Sequence, residues 1–347
     1  MQIPGINKVK RRAGTLGRRV ARQSLILMYH RIHESASDPW SLCVSPRYFA
    51  EHLEVLNRFA PILSLTSLCK ALRDGKLPHG GVAITFDDGY ADNLYAAAPL
   101  LERCAAPATV FITTGQIGSK REFWWDELAR LLLQPGVLPD VLSLTINDVD
   151  YSWRLGRSAL YSEADFDRDT HRQAWEGEQE SRLRLYHSIW EILLPLPQQA
   201  QYAALDQLLH WSGQDPVGRS SQRTLTIEEI ALLAQGELIQ VGAHTITHPI
   251  LPAHSVACQR EEIFQSKAWL EEIIDAPVTC FAYPHGDYSK STAALTREAG
   301  FDCACTTDEA TIWRFTDPFL MPRLAVENWD GEEFARQLTR YLGTFGI

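Results

Sequence analysis

Val82-Ala83-Ile84-Thr85-Phe86-Asp87-Asp88-Gly89 is the stretch on which the reading of this chain turns. A short apolar run stops abruptly at two adjacent carboxylates and a glycine. Such a run, bounded by a turn signal, reads as a strand buried on both faces, the hallmark of a parallel sheet. In parallel α/β folds the functional groups gather at the C-terminal ends of strands, which is where Asp87 and Asp88 fall.

The same pattern repeats on either side. Ser24–Tyr29 reads as a strand stopping at His30, and Leu238–Ala243 as one stopping at His244. Thr109–Thr113, Val278–Tyr283, Asp302–Thr306 and Met321–Val326 read as further strands. Between them lie stretches with helical spacing: Pro46–Phe59, Thr66–Arg73, Ala91–Cys104, Val256–Ile274, Ser289–Ala299 and a last helix from about Gly331. Alternating strands and helices predict an α/β fold with a parallel sheet covered by helices, and the number of units suits a closed or nearly closed barrel. Residues at about 120–225 break this rhythm and are expected to form a helical insertion, opening with Phe123-Trp124-Trp125-Asp126-Glu127-Leu128. Thr226 and Glu229, at capping-box spacing, restart the regular pattern.

The chain has 347 residues, 45% hydrophobic and 22% charged, the composition of a soluble globular protein. A net charge of −10 argues against a nucleic-acid reader. Seven cysteines, an odd number without a C-x-x-C pair, read as buried reduced thiols in a reducing compartment. Residues 1–23 form a basic tail, with Lys8, Lys10, Arg11, Arg12, Arg18, Arg19 and Arg22. No apolar stretch long enough for a signal peptide or a membrane span follows, so the expectation is a cytoplasmic chain. A basic tail of this kind also suits peripheral contact with anionic lipid at the inner membrane face.

Downstream, His244-Thr245-Ile246-Thr247-His248 sets two imidazoles four positions apart. With the Asp pair they supply three metal ligands and a spare carboxylate, the composition of a hydrolytic metal site. Either motif alone is weak. Adjacent Asp residues often cap the helix that follows, and H-x-x-x-H is common on surfaces.

These residues resemble the polysaccharide deacetylases of carbohydrate esterase family 4, the NodB-like group. Thr85–Gly89 matches the family's T-F-D-D-G, His244–His248 its H-[ST]-x-x-H, and Tyr283-Pro284-His285-Gly286 stands at its Pro–aromatic–Gly turn. The resemblance covers roughly residues 24–120 and 226–326. It implies a distorted (β/α)7-type barrel and hydrolysis of an acetyl or formyl group from the nitrogen of an amino sugar. It also implies Asp87 as catalytic base and Asp88, His244 and His248 as ligands of a divalent metal, zinc first, with cobalt or another transition metal as alternatives. The backbone N–H of His285 would help hold the oxyanion. Tyr90, Tyr283 and Pro284 are further candidates for the substrate side, Tyr90 being equally suited to the core.

Two positions depart from the family pattern. Its Arg two residues before the turn proline is Ala282 here, and its C-terminal Leu-x-His is replaced by Leu320-Met321-Pro322-Arg323-Leu324. A circularly permuted subgroup carries the equivalent His at its first strand, as Leu27-Met28-Tyr29-His30 does. On that resemblance His30 is the general acid, with His285 next in line, and Arg323 replaces the missing Arg beside Asp87. A plain ion pair is the other reading of Arg323. Two functions remain: a metal-dependent sugar N-deacylase, or a carbohydrate-binding scaffold on the same fold with weakened catalysis. A cytoplasmic enzyme favours a nucleotide- or lipid-linked amino sugar over an extracellular polymer. Oligomeric state and the sugar itself are left open.

Overall fold

The computed structural model describes residues 23–343; the basic tail expected over residues 1–23 lies, but for Gln23, outside them. Seven parallel segments make the barrel wall. They are β1 (Gln23–Tyr29), β2 (Val82–Phe86), β3 (Ala108–Ile112), β4 (Ile239–Ala243), β5 (Cys280–Ala282), β6 (Cys303–Cys305) and β7 (Leu324–Ala325). Each pairs in parallel with the next from β1 to β6. The ring is completed through residues 321–325. Met321 bridges Cys305, and β7 runs parallel to β1 with Leu27 opposite Leu324. Closure thus rests on a few residues, which is what distorts the barrel. A two-residue strand, Ile312–Trp313, pairs antiparallel with the start of β1 and makes the sheet mixed.

The wall strands are continuous apolar runs because both their faces are covered. Every residue of β2, β3, β5 and β6 is buried. The covering helices are α1 (Pro46–Phe59), α2 (Leu65–Arg73), α3 (Ala98–Arg103), α7 (Ile227–Ala234), α8 (Val256–Ile274), α9 (Lys290–Glu298) and α10 (Gly331–Leu342). Their starts follow from capping residues. Ser45 accepts from the Tyr48 N–H ahead of Pro46, and Thr226 and Glu229 form the full capping box that their spacing predicts. His52 of α1 ties three elements together. Its ring accepts from the Tyr29 hydroxyl of β1 (3.1 Å), donates to the Trp329 carbonyl (2.7 Å) and stacks on Phe334 of α10 at 4.1 Å.

The segment between β3 and β4 builds a second apolar core of its own, and it is helical only in part. Its longer helices are α4 (Trp124–Leu132), α5 (Arg182–Leu193) and α6 (Gln198–Ser212). The correction to the helical expectation is an antiparallel hairpin, Val141–Ile146 with Val149–Arg154. Burial alternates strictly along its first strand, and Asn147 and Asp148 both take positive φ (48° and 61°) at the turn. Such backbone matches the twist of paired strands and suits Asn and Asp. Leu142, Leu144 and Ile146 supply the buried face. Cys43, Cys69, Cys280, Cys303 and Cys305 are buried, and no helix among the described residues is long and apolar enough to cross a membrane.

Candidate active site

Parallel strands all end on the same rim, so the barrel collects the polar residues that follow them. Asp87 and Asp88 leave β2, His30 leaves β1, His244 leaves β4, and His285 stands on the turn after β5. Together with His248 and Thr307 they line one cleft of about 180 Å³.

Asp87 is held from one side by Arg323, which is fully buried. The guanidinium donates to both carboxylate oxygens at 2.7 Å, to the Thr306 carbonyl through Nε at 2.9 Å, and to Thr85 Oγ1 at 3.2 Å. A planar fork matched to a carboxylate is the strongest form of this pair. Burial pushes the Asp87 carboxyl up, yet Arg323, with His244 behind it, brings it down to about 2. Asp87 is therefore an ionised carboxylate whose remaining lone pairs face the cleft.

Asp88 is a different case. Its Oδ1 is buried without a hydrogen-bond partner. It lies 3.3 Å from His248 Nε2 and 3.6 Å from His244 Nε2. Burial and the neighbouring Asp87 raise its pKa well above the usual range. His244 donates from Nδ1 to the Ala282 carbonyl at 2.8 Å, which fixes the tautomer and leaves Nε2 with its lone pair forward. Ligand atoms bound tetrahedrally at about 2.0–2.1 Å lie roughly 3.3 Å apart, so these separations fit a zinc-like cation. A cation is also what the orphaned Oδ1 requires. Among the described residues Asp88, His244 and His248 are the group arranged to hold a metal.

The loop carrying the two imidazoles is pinned from below by Glu262 of α8. One carboxylate oxygen accepts the N–H groups of Ile246 (2.8 Å) and Thr247 (2.9 Å), and the other accepts the Thr247 hydroxyl at 2.6 Å. Four site residues hold left-handed backbone: Asp88 (φ 75°), Thr245 (66°), His248 (59°) and His285 (57°). Conformations of this kind cost about 1–3 kcal/mol each and persist only where the surroundings impose them, typically at functional sites. Gly286 follows at φ 72°, and a Cβ there would run into Thr307.

His30 and His285 both reach the cleft. Burial lowers each to about 4; for His30, Asp87 pulls back upward, while for His285 the nearby His244 lowers it further. Both are neutral imidazoles at pH 7. The His285 ring stands 4.5 Å from that of His248.

Three sequence-level candidates are placed elsewhere. Tyr90 is fully buried beneath the site, donating to Asp126 at 2.7 Å and accepting from Trp125 Nε1 at 3.1 Å, under the Arg31 guanidinium. The reason is that Tyr90 opens into the second apolar core, where a phenol needs a polar partner and finds one. Tyr283 is buried in the barrel core against Phe281, with its hydroxyl bound to the Phe319 carbonyl at 3.1 Å. Pro284 is buried and shapes the turn that carries His285. Conversely, Trp125 reaches the cleft, 4.9 Å from the His248 ring, as do Trp40, Trp190 and Leu42. An aromatic pair such as Trp124-Trp125 is more often core than sugar site, and nothing in the sequence pairs residue 40 with residue 190.

The family model described as polysaccharide deacetylase matches residues 74–141 and 217–304. YxkH of Bacillus subtilis (strain 168), which is named as a polysaccharide deacetylase, is 32% identical over 108 residues, 30% of this chain and 37% of that protein. The fold resembles that of the Streptococcus pyogenes deacetylase PplD in complex with acetate, at TM-score 0.57 and 18% identity over 92% of this chain and 99% of that one. It also resembles IcaB from Ammonifex degensii, at TM-score 0.58 and 17% identity over 93% and 98%. At such identities the structural likeness is one of fold. The chain spans 37% of the length of the curated relative it matches.

Proposed function

We propose, from the match of residues 74–141 and 217–304 to the polysaccharide deacetylase family model, that the chain is a metal-dependent hydrolase that removes an acetyl or formyl group from the nitrogen of an amino sugar, in the synthesis or modification of a polysaccharide. The observation that carries the reading is the contrast between two adjacent carboxylates. Asp87 is clamped and ionised by Arg323, while Asp88 turns an unpartnered oxygen toward two imidazole nitrogens. A binding scaffold needs neither arrangement.

Asp88, His244 and His248 would hold the cation, which when bound polarises the acyl carbonyl and acidifies a water molecule. Asp87 stands ready to take the proton from that water, because Arg323 keeps it ionised and fixes its plane. The N–H of His285 is the candidate donor to the developing oxyanion. His30 is the candidate for delivering a proton to the departing amine. It starts as a neutral imidazole, so it must gain a proton before it can give one to the amine. The products are a small carboxylic acid and a free amine. A scaffold with weakened catalysis rested on Ala282 and the missing C-terminal His, and Arg323 at 2.7 Å from Asp87 removes the first of those grounds.

The decisive variants separate the roles. Asp87→Asn is expected to keep bound metal and lose amine release by about 10³-fold or more, the scale for a general base with its orienting partner. His30→Ala with full turnover and full metal would pass the acid role to His285. We further propose that the chain works at the inner membrane face, its basic residues 1–23 against anionic headgroups. Sedimentation with anionic but not neutral vesicles, lost when those residues are removed, is the expected outcome.

A further inference from the structure

The site residues follow the strand ends, so the start of β1 lies at the opposite rim, the base of the barrel. The surface there is aromatic. The strand Ile312–Trp313 pairs with the start of β1, Trp313 lying opposite Gln23. It then turns sharply. The N–H of Thr316 donates to the Trp313 carbonyl at 2.8 Å, and the N–H of Trp313 donates to the Thr316 hydroxyl at 3.0 Å. This tight turn carries Trp313, 40% exposed, and Phe315, 65% exposed, edge to face at 5.0 Å. Arg314 between them lays its guanidinium over the Phe315 ring at 4.3 Å. A single exposed apolar residue is unremarkable. Two adjoining rings held out by a closed turn leave a contiguous apolar surface in water, which favours a partner that covers it.

The surroundings are basic. On the other side of β1 the Gln23 carbonyl accepts the Gly80 N–H at 2.7 Å, and the Ser24 hydroxyl donates to the Pro78 carbonyl at 2.7 Å. That loop brings Lys76 and His79, both exposed, to the base. Asp317, two residues beyond the tip of the turn, is paired with Arg297 at 2.5 Å, and Asp302, just before β6, with Arg73 at 2.9 Å. Gln23 is also where residues 1–22 join the described fold, and they hold seven Lys and Arg without one Asp or Glu.

We propose that the base of the barrel is a membrane-docking face, on which Trp313 and Phe315 enter the interfacial layer of an anionic bilayer while Arg314, Lys76 and the basic residues before Gln23 meet its headgroups. This rests on the membrane contact proposed above for residues 1–23, and adds the part played by the folded domain and the orientation it imposes. Aromatic rings settle at the headgroup level, and basic segments are drawn to the surface potential of anionic lipid. Lasting attachment takes a second, apolar signal beside the charge, and the turn supplies it. Trp175, 56% exposed, marks the opposite end, 5.9 Å from Trp40 of the cleft. Glu176, Glu178 and Glu180 follow it, and anionic headgroups would repel them. Docked by its base, the barrel points its cleft away from the bilayer. The seven residues of β1 alone span about 20 Å. A sugar held at the headgroups on a lipid diphosphate would therefore meet the wrong end of the molecule.

The test is partitioning of the full chain onto vesicles of phosphatidylcholine, alone or mixed with phosphatidylglycerol. Arg314→Glu combined with Phe315→Ser, both at exposed positions, is expected to weaken binding to the anionic mixture at least ~10-fold. Orientation is read by tryptophan quenching from brominated acyl chains. Quenching is expected in the wild type and in Trp175→Phe, and much less in Trp313→Phe, which keeps an aromatic ring in the strand pair. Unchanged binding of the double variant would overturn the docking face, and loss of binding on removal of residues 1–22 would then leave the tail contact standing. Binding that survives removal of residues 1–22 but falls in the double variant would do the reverse. Quenching lost in Trp175→Phe instead of Trp313→Phe would place the cleft end on the membrane and overturn the orientation. No binding of the full chain to either vesicle would overturn both contacts.

Discussion

Asp87 follows β2 and Arg323 precedes β7, 236 positions apart along the chain, and each makes the other's burial tolerable. The guanidinium is fully buried and the carboxylate nearly so, with two parallel contacts of 2.7 Å between them. Removing one member of such a pair strands the other charge, at a cost of about 3–5 kcal/mol. Arg323→Ala is therefore expected to reduce unfolding stability by that amount, read from a denaturant melt. It should also shift the acid limb of the pH–rate profile upward, since burial would then be opposed only by the imidazoles of His244 and His30. Arg323→Lys should recover part of the stability but not the profile, because a single ammonium cannot hold both oxygens. Unchanged stability and profile in Arg323→Ala would reduce the pair to a surface-like contact. Asp87, Asp88, His244 and His248 drew attention through their positions at the ends of apolar runs taken together, because carboxylates and imidazoles there serve packing poorly. For Tyr90 the sequence left the core and the sugar side equally open, and both Tyr90 and Tyr283 are buried, since an amphipathic phenol beside a motif is as well served by a buried partner as by a substrate. The Ala282 carbonyl, which orients His244, is invisible to any reading of side chains.

At the level of elements, the strand-end rule did most of the positioning, and what it missed were supports supplied by distant helices. Glu262 sits on the turn of α8 that lies under the H-x-x-x-H loop, and no periodicity marks it. Its carboxylate accepts three hydrogen bonds from that loop. Glu262→Gln keeps one acceptor and turns a donor toward N–H groups. It is expected to weaken metal affinity by about 10–100-fold, the range for groups that orient ligands, as read by competition with a chromophoric chelator. Unaltered affinity would mean the loop holds its left-handed residues unaided. His52 makes a comparable joint between β1, α1 and α10. Burial lowers its pKa to about 4, from 6.5 in the unfolded chain. The unfolded state thus binds the proton more readily, so the contribution of His52 to stability is full above pH 6.5 and is lost as pH falls through about 4. The acid-unfolding slope over that window should be shallower by about one proton in His52→Gln. The hairpin at 141–154 was written in its alternation and its Asn147-Asp148 turn, but the helices around it masked a period of two.

For the molecule as a whole, the barrel brings to one rim groups from β1, β2, β4 and the turn after β5, and closes through the few residues around Met321 and Arg323. The segment between β3 and β4, with Trp40 from the chain between β1 and β2, adds the aromatic wall over that rim. The barrel could be read from repeated strand–helix units, each of which carries its own local signal. The cleft could not, because its wall is made by contacts between residues 40, 125 and 190, and single-chain periodicity holds no information on such pairings. The central claim is that the rim is a metal site with a separate base. The most direct test is metal analysis of the purified chain beside Asp88→Asn, His244→Ala and Asp87→Asn, with amine release from an N-acetylated oligosaccharide measured on each. The account predicts about one zinc-like ion per chain, retained in Asp87→Asn and lost in the other two, with amine release lost in all three. Absence of metal from the wild-type chain after reconstitution, or equal retention in Asp88→Asn and His244→Ala, would contradict it.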